Sequence, residues 1–297
     1  MDSSLLSVGL PIALAIIMFG LGLALTVDDF RRIGRQPKPV VIALAAQLVL
    51  LPLVCFGLVV WFDLDPLLAV GMMLLAASPG GTTANLFSHL FRGDVALNIT
   101  LTAVNSVIAV VTLPVVVNIA VAYFDPQGAG EIGLQVGKTL QVFAIVLIPV
   151  AIGMAVRSRR PDFAARADKP VRIASAVVLA AVIVGAMLAE RENLADYLEQ
   201  IGLLTALFCL LSLSIGYLLP RLLGVEDRQA MASAFEVGIH NSTLAIAVGV
   251  SVLGNETLAV PAAVYGVLMF PLALGAGFVL RKIVAPAQTE PAPVGQG

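Results

Sequence analysis

Apolar residues run along this chain in long blocks, separated by short stretches that carry nearly all the charge. A membrane-spanning helix needs about 20 mostly apolar residues. The pattern predicts nine such helices, at 5–25, 39–61, 66–91, 96–122, 134–156, 172–189, 198–219, 229–253 and 258–280. Two of the blocks are interrupted inside. Pro79-Gly80-Gly81-Thr82-Thr83-Ala84-Asn85 breaks the third, and Phe235-Glu236-Val237-Gly238-Ile239-His240-Asn241-Ser242-Thr243 breaks the eighth. Polar side chains and loosened backbone at mid-depth are tolerated only inside protein or around a water-filled cavity. A broken helix at matching positions in two halves points to the binding site of a secondary transporter.

Composition agrees with a lipid-embedded chain. Of 297 residues, 59% are hydrophobic and 12% charged, against about 25% charged in a soluble domain. No basic tract suggests nucleic acid, and no charge run suggests an obligatory protein partner. Cys55 and Cys209 both fall in apolar blocks and read as buried thiols. The first block is too long for a cleavable signal peptide, follows Asp2 and precedes the positive charges, so it reads as a transmembrane helix. Residues 1–284 form one transporter domain in this reading, and 285–297, rich in Pro, Ala and Gly, a disordered cytoplasmic tail.

Lys and Arg concentrate in loops on the cytoplasmic side of a membrane. With the N-terminus outside, 15 of the 17 basic residues lie in or beside inner loops; Lys138 and Arg191 do not. The outer loops are acidic, with Asp63, Asp65, Asp125, Glu131, Glu190, Glu192, Asp196 and Glu256. Nine helices then place the C-terminus in the cytoplasm. The first four helices and the last four each carry the interrupted helix third but start on opposite sides, which is an inverted-topology repeat.

Glu236 is the most telling polar residue. A charged side chain at the centre of a membrane helix costs roughly 2.5–3.5 kcal/mol on insertion scales. The plainer reading is a helix end that reaches cytoplasm near Arg228, but eight residues separate the two, about 12 Å of helix. Hard cations take oxygen ligands, and Glu236, Asn85, Thr102 and Gln47 carry them. Gln47 serves equally well as a buried helix–helix hydrogen bond. Asn98 and Thr102 are four residues apart and share a helix face with Asn105 and Ser106 nearby. Thr82, Thr83 and Asn241, Ser242, Thr243 follow the two breaks, at the starts of half-helices. There they act as N-caps, as donors to an anion, or both. His240 fits a neutral ligand, a proton carrier or a substrate contact. His89, beside Arg92, reads as interfacial, and Gly20 and Gly22 as helix-packing positions.

No GxSxG, HExxH, P-loop, GxGxxG or Cys/His zinc spacing is present. An intramembrane enzyme would need an acidic metal cluster or a nucleophile–base pair, and one buried carboxylate supplies neither. The expectation is a transporter without enzymatic activity.

The strings SPGGTTANLFSHLFRGDVALNITLT and FEVGIHNSTLAIAVG, with IIMFGLGLAL near the N-terminus, resemble the bile acid:sodium symporter family over nearly the whole chain. Bacterial members typically have ten helices, and the resemblance leaves nine here. It implies an all-α membrane fold with a core from about 39–122 and 198–280, a panel from about 5–25 and 134–189, and broken helices that cross. It implies one Na⁺ held by Asn85, Asn98, Thr102 and Glu236, with Asn98 and Ala84 at positions usually serine. A second Na⁺ would use Glu236, Gln47 and the carbonyls of Val237 and Ile239, with His240 where a glutamine is usual. Imidazole nitrogen is a poorer ligand than an amide oxygen for a hard ion, so one Na⁺ is expected. Thr82, Thr83, Asn241 and Ser242 would contact the substrate. The implied function is sodium-coupled import of a small organic anion, bile-acid-like, pantoate-like or a keto acid, across a bacterial inner membrane. The alternatives are proton-coupled or uncoupled transport.

Overall fold

The computed structural model describes residues 15–126, 136–177 and 194–284, apart from positions 17, 21, 168, 169, 172, 175 and 176. Helix dominates the described residues. The elements are α1 Val27–Arg35, α2 Pro37–Trp61, α3 Pro66–Ala77, α4 Thr82–Leu90, α5 Val95–Phe124, α6 Val136–Arg159, α7 Leu194–Leu222, α8 Asp227–Gly238, α9 Ser242–Val252 and α10 Val260–Ile283. Among the described residues, four helical stretches are long and apolar enough to cross a membrane: Pro37–Trp61, Val95–Phe124, Ile201–Leu222 and Thr257–Ile283. Their outward faces carry exposed apolar side chains such as Leu53, Val111, Ile119, Leu203 and Phe278, as a lipid-facing surface does.

Both interrupted blocks are broken helices. The first runs as α3, stops at Ser78, and resumes as α4; the second runs as α8, stops at Ile239, and resumes as α9. Pro79 cannot donate to the preceding turn, and two glycines follow it. Most of the expected helices at 172–189 and 5–25 lies outside the described residues, as do Glu131, Glu190, Arg191, Glu192 and the tail from 285. Asp196, expected in an outer loop, lies inside α7. The basic stretch expected as a loop at 26–38 contains α1, at whose start Thr26 donates its N–H and its hydroxyl to Asp29 Oδ2 at 2.7 and 2.8 Å.

Small residues bring helices together. A side chain at Gly216 of α7 would meet Ala234 Cα and Ser233 O of α8 at 2.8 and 2.9 Å. Gly22 and Gly153 of α6 meet in the same way, so Gly22 does the packing expected of it. An aromatic cluster joins the other ends: Phe91 stacks on Phe235 at 5.6 Å and Phe87 on Phe270 at 6.3 Å. α2 departs from α geometry at Ala46–Leu50, a π turn that contains Gln47. Such turns recur at functional sites.

Candidate functional site

The two breaks touch. Gly80 and His240 form a single antiparallel bridge, in which Gly81 N–H donates to Ile239 O at 3.1 Å and Asn241 N–H donates to Pro79 O at 2.8 Å. Backbone groups freed by each break are thus satisfied by the other, which a membrane interior requires. The contact also brings Gln47, Asn98, Thr102, Glu236 and His240 into one buried polar region, each no more than 3% exposed.

Glu236 sits on the last turn of α8. Thr102 Oγ1 donates to its Oε2 at 2.5 Å, while Oε1 has no hydrogen-bond partner. Gly80 lies so close to the carboxyl that a Cβ there would stand 2.6 Å from Oε2. Asn98 uses its amide nitrogen twice, toward Ser88 Oγ and Ala232 O, both at 2.8 Å. Its Oδ1 is left without a partner, and so is Asn85 Oδ1. Ala84, fully buried next to Asn85, brings no polar atom.

On the far side of the bridge, Gln47 Nε2 donates to Ser78 O at 3.1 Å, and His240 Nδ1 lies 3.3 Å from both that carbonyl and Gln47 Nε2. Nδ1 can donate to the Ser78 carbonyl in one tautomer or accept from Gln47 Nε2 in the other. Gln47 Oε1 and His240 Nε2 are buried with no hydrogen-bond partner. The imidazole stacks on Phe208 at 5.5 Å and meets the edge of Tyr265 at 5.4 Å. Tyr265 in turn donates its hydroxyl to Gly238 O at 2.9 Å. Ile239 O is engaged by Gly81, and Val237 is fully buried beside it.

Asn241 is the N-cap of α9, its Oδ1 accepting from Leu244 N–H at 3.0 Å. Gly81 occupies the equivalent place before α4, so Thr82 and Thr83 are inside the helix rather than capping it. The Thr82 side chain lies outside the described residues. Ser242 and Thr243 are buried, and Ser242 Oγ has no partner. His89 is exposed.

Ser78, Ser88, Phe208 and Tyr265 are not singled out by the sequence, and Gly80 is singled out only as part of a break, not as a neighbour of Glu236. Ser78, Gly80 and Ser88 belong to the first break motif and its continuation, which is a usable signal. Phe208 and Tyr265 stand among apolar residues, and nothing local marks them.

The buried acceptors fit a hard cation. Glu236 Oε1, Asn85 Oδ1, Asn98 Oδ1 and Gln47 Oε1 are all oxygens without a donor. A buried acceptor left unmade costs about 1–3 kcal/mol, more when charged, and oxygens of this kind are the ligands that hard cations take. His240 Nε2 does not suit such an ion.

Comparisons with known proteins point the same way. Residues 11–197 match the model of the sodium bile acid symporter family. The chain is 32% identical to the uncharacterized sodium-dependent transporter YocS of Bacillus subtilis, over 87% of this chain and 78% of that protein. It is 30% identical to the Arabidopsis thaliana protein named "Probable sodium/metabolite cotransporter BASS1, chloroplastic", over 86% of this chain and 62% of the plant protein. The human ileal sodium/bile acid cotransporter is also 30% identical, over 82% and 69%. The broken-helix crossing, the buried carboxylate and these matches agree: the chain belongs to the sodium bile acid symporter family.

Proposed function

We propose that this protein is a secondary transporter that couples Na⁺ to the import of a small organic anion. The carrying observation is the set of buried, partnerless oxygens around the crossing, with Glu236 as its charge. Na⁺ at Glu236, Asn85, Asn98 and Thr102 neutralises the carboxylate and ties α4, α5 and α8 together. The bridge between the breaks is thereby held in one arrangement. The N-terminus of α4 and the cap of α9 then face an anion with N–H groups and hydroxyls from Thr82, Thr83, Asn241 and Ser242. Relatives named as bile acid and metabolite cotransporters support the anion class.

Alternating access follows as a rocking of the panel, 5–25 and 134–189, against the core, 39–122 and 198–280. The arrangement is nine helices with the N-terminus outside and the C-terminus in the cytoplasm, as the distribution of Lys and Arg supports. An inner membrane is the setting. With His240 in place of an oxygen ligand, one Na⁺ accompanies each anion.

The test is thermal stability of the purified protein in Na⁺ against K⁺, for wild type and Glu236→Ala. The expected result is stabilisation by Na⁺ alone, lost in the variant. A wild type indifferent to Na⁺ would sink the sodium reading.

A second reading rests on His240, whose buried Nε2 has no hydrogen-bond partner. Proton coupling through this imidazole predicts uptake that changes across about pH 5.5–8, where histidine titrates. Uptake that stays flat over that range excludes it.

A further inference from the structure

Asn98, Thr102 and Asn105 lie at positions i, i+4 and i+7 of α5, and so form one stripe along the helix. Asn98 and Thr102 are already engaged: Asn98 holds α8 through Ala232 O, and Thr102 holds Glu236. Asn105 is the third member. It is 1% exposed, and its Nδ2 is a buried donor with no acceptor in bonding geometry. It stands one turn beyond Thr102, which bonds the Glu236 carboxyl, and Glu236 Oε1 is an acceptor left open. Buried donors are almost always satisfied, and the open acceptor reached from this helix face is the carboxylate that Thr102 already holds.

We propose that Asn105 is a positioning residue for the cation site: its amide N–H donates to the Glu236 carboxylate when Na⁺ is bound. Thr102 and Asn105 then grip the carboxylate from successive turns of one helix, and set the direction in which its remaining lone pairs face the ion. Asn105 acts on the ion through Glu236 and is not itself a ligand. This inference rests on the sodium reading above and adds a residue to it.

Three variants decide it, each assayed by the Na⁺ concentration that half-saturates the thermal shift, with melting in K⁺ as the folding control. Asn105→Leu removes the donor at similar volume. It is expected to raise the Na⁺ requirement about tenfold or more, as losing a hydrogen bond to a charged group does, with little change in K⁺. Asn105→Gln keeps a donor and is expected to retain most of the Na⁺ response, which covers the case in which the leucine variant fails to fold. Asn105→Asp replaces the donor with a second carboxylate, and is expected to abolish the response by repulsion. Tighter Na⁺ binding in Asn105→Asp would make Asn105 a direct ligand and overturn the proposal, as would an unchanged Na⁺ requirement in Asn105→Leu. A wild type without a Na⁺ response overturns the sodium reading and this inference together, whereas a responsive wild type matched by Asn105→Leu overturns this inference alone.

Discussion

Gly80 lies against the carboxyl of Glu236, with no room for even a methyl group between them. The two residues come from the two separate breaks, 156 positions apart in the chain (236 − 80), and their contact places a carboxylate against bare backbone. A glycine is needed here for close approach rather than for a positive φ, since Gly80 is not among the residues with that conformation.

Gly80→Ala is therefore expected to displace the Glu236 carboxyl and strain the bridge between the breaks. Overpacking of this kind costs about 1–3 kcal/mol. The melting temperature in K⁺ should fall and the Na⁺ shift should disappear. An alanine variant with a wild-type Na⁺ response would show that the carboxyl moves aside without consequence.

Tyr265 supports the same region from α10. Its hydroxyl satisfies Gly238 O, and its ring closes one side of His240. Tyr265→Phe keeps the ring and leaves the Gly238 carbonyl only the weak thiol contact from Cys209 at 3.9 Å, at a cost of about 1–3 kcal/mol. Thermal unfolding in detergent should register the loss, and a phenylalanine variant as stable as wild type would show that the carbonyl finds another donor.

His240 sets the expected charge balance. One Na⁺ with a monovalent anion moves no net charge, while two would move one, driven by about 2.3 kcal/mol per 100 mV. Uptake into proteoliposomes should thus ignore an imposed potential in wild type. In His240→Gln, an amide oxygen stands next to Gln47 Oε1, and uptake should become potential-driven with a steeper Na⁺ dependence. Potential-driven uptake already present in wild type would refute the single-ion stoichiometry.

Gly153 of α6 faces the backbone at Phe19 and Gly22, and a Cβ there would stand 2.5 Å from Phe19 O and 2.8 Å from Gly22 Cα. Gly153→Val should separate these two helices. In the proposed architecture both belong to the panel, so uptake should fall while Na⁺ stabilisation of the core persists. Loss of the Na⁺ shift as well would mean that the two parts do not behave separately.

The membrane class of this chain was legible without coordinates, because lipid demands long apolar helices and tolerates no unsatisfied backbone. The two breaks were legible for the same reason: Pro79, Gly80, Gly81 and the run from Glu236 to Thr243 have no purpose in a plain span. Glu236, Thr102 and Gln47 stood out because polar groups are costly there. Tertiary structure decided the rest. That Gly80 pairs with His240, that Thr102 rather than Gln47 bonds Glu236, and that Phe208 and Tyr265 box the imidazole all depend on helices remote in sequence. Periodicity reports which face of a helix is polar, but not which partner it meets. Phe208 and Tyr265 were invisible because an aromatic residue in an apolar helix looks the same whether it faces lipid, core or an imidazole.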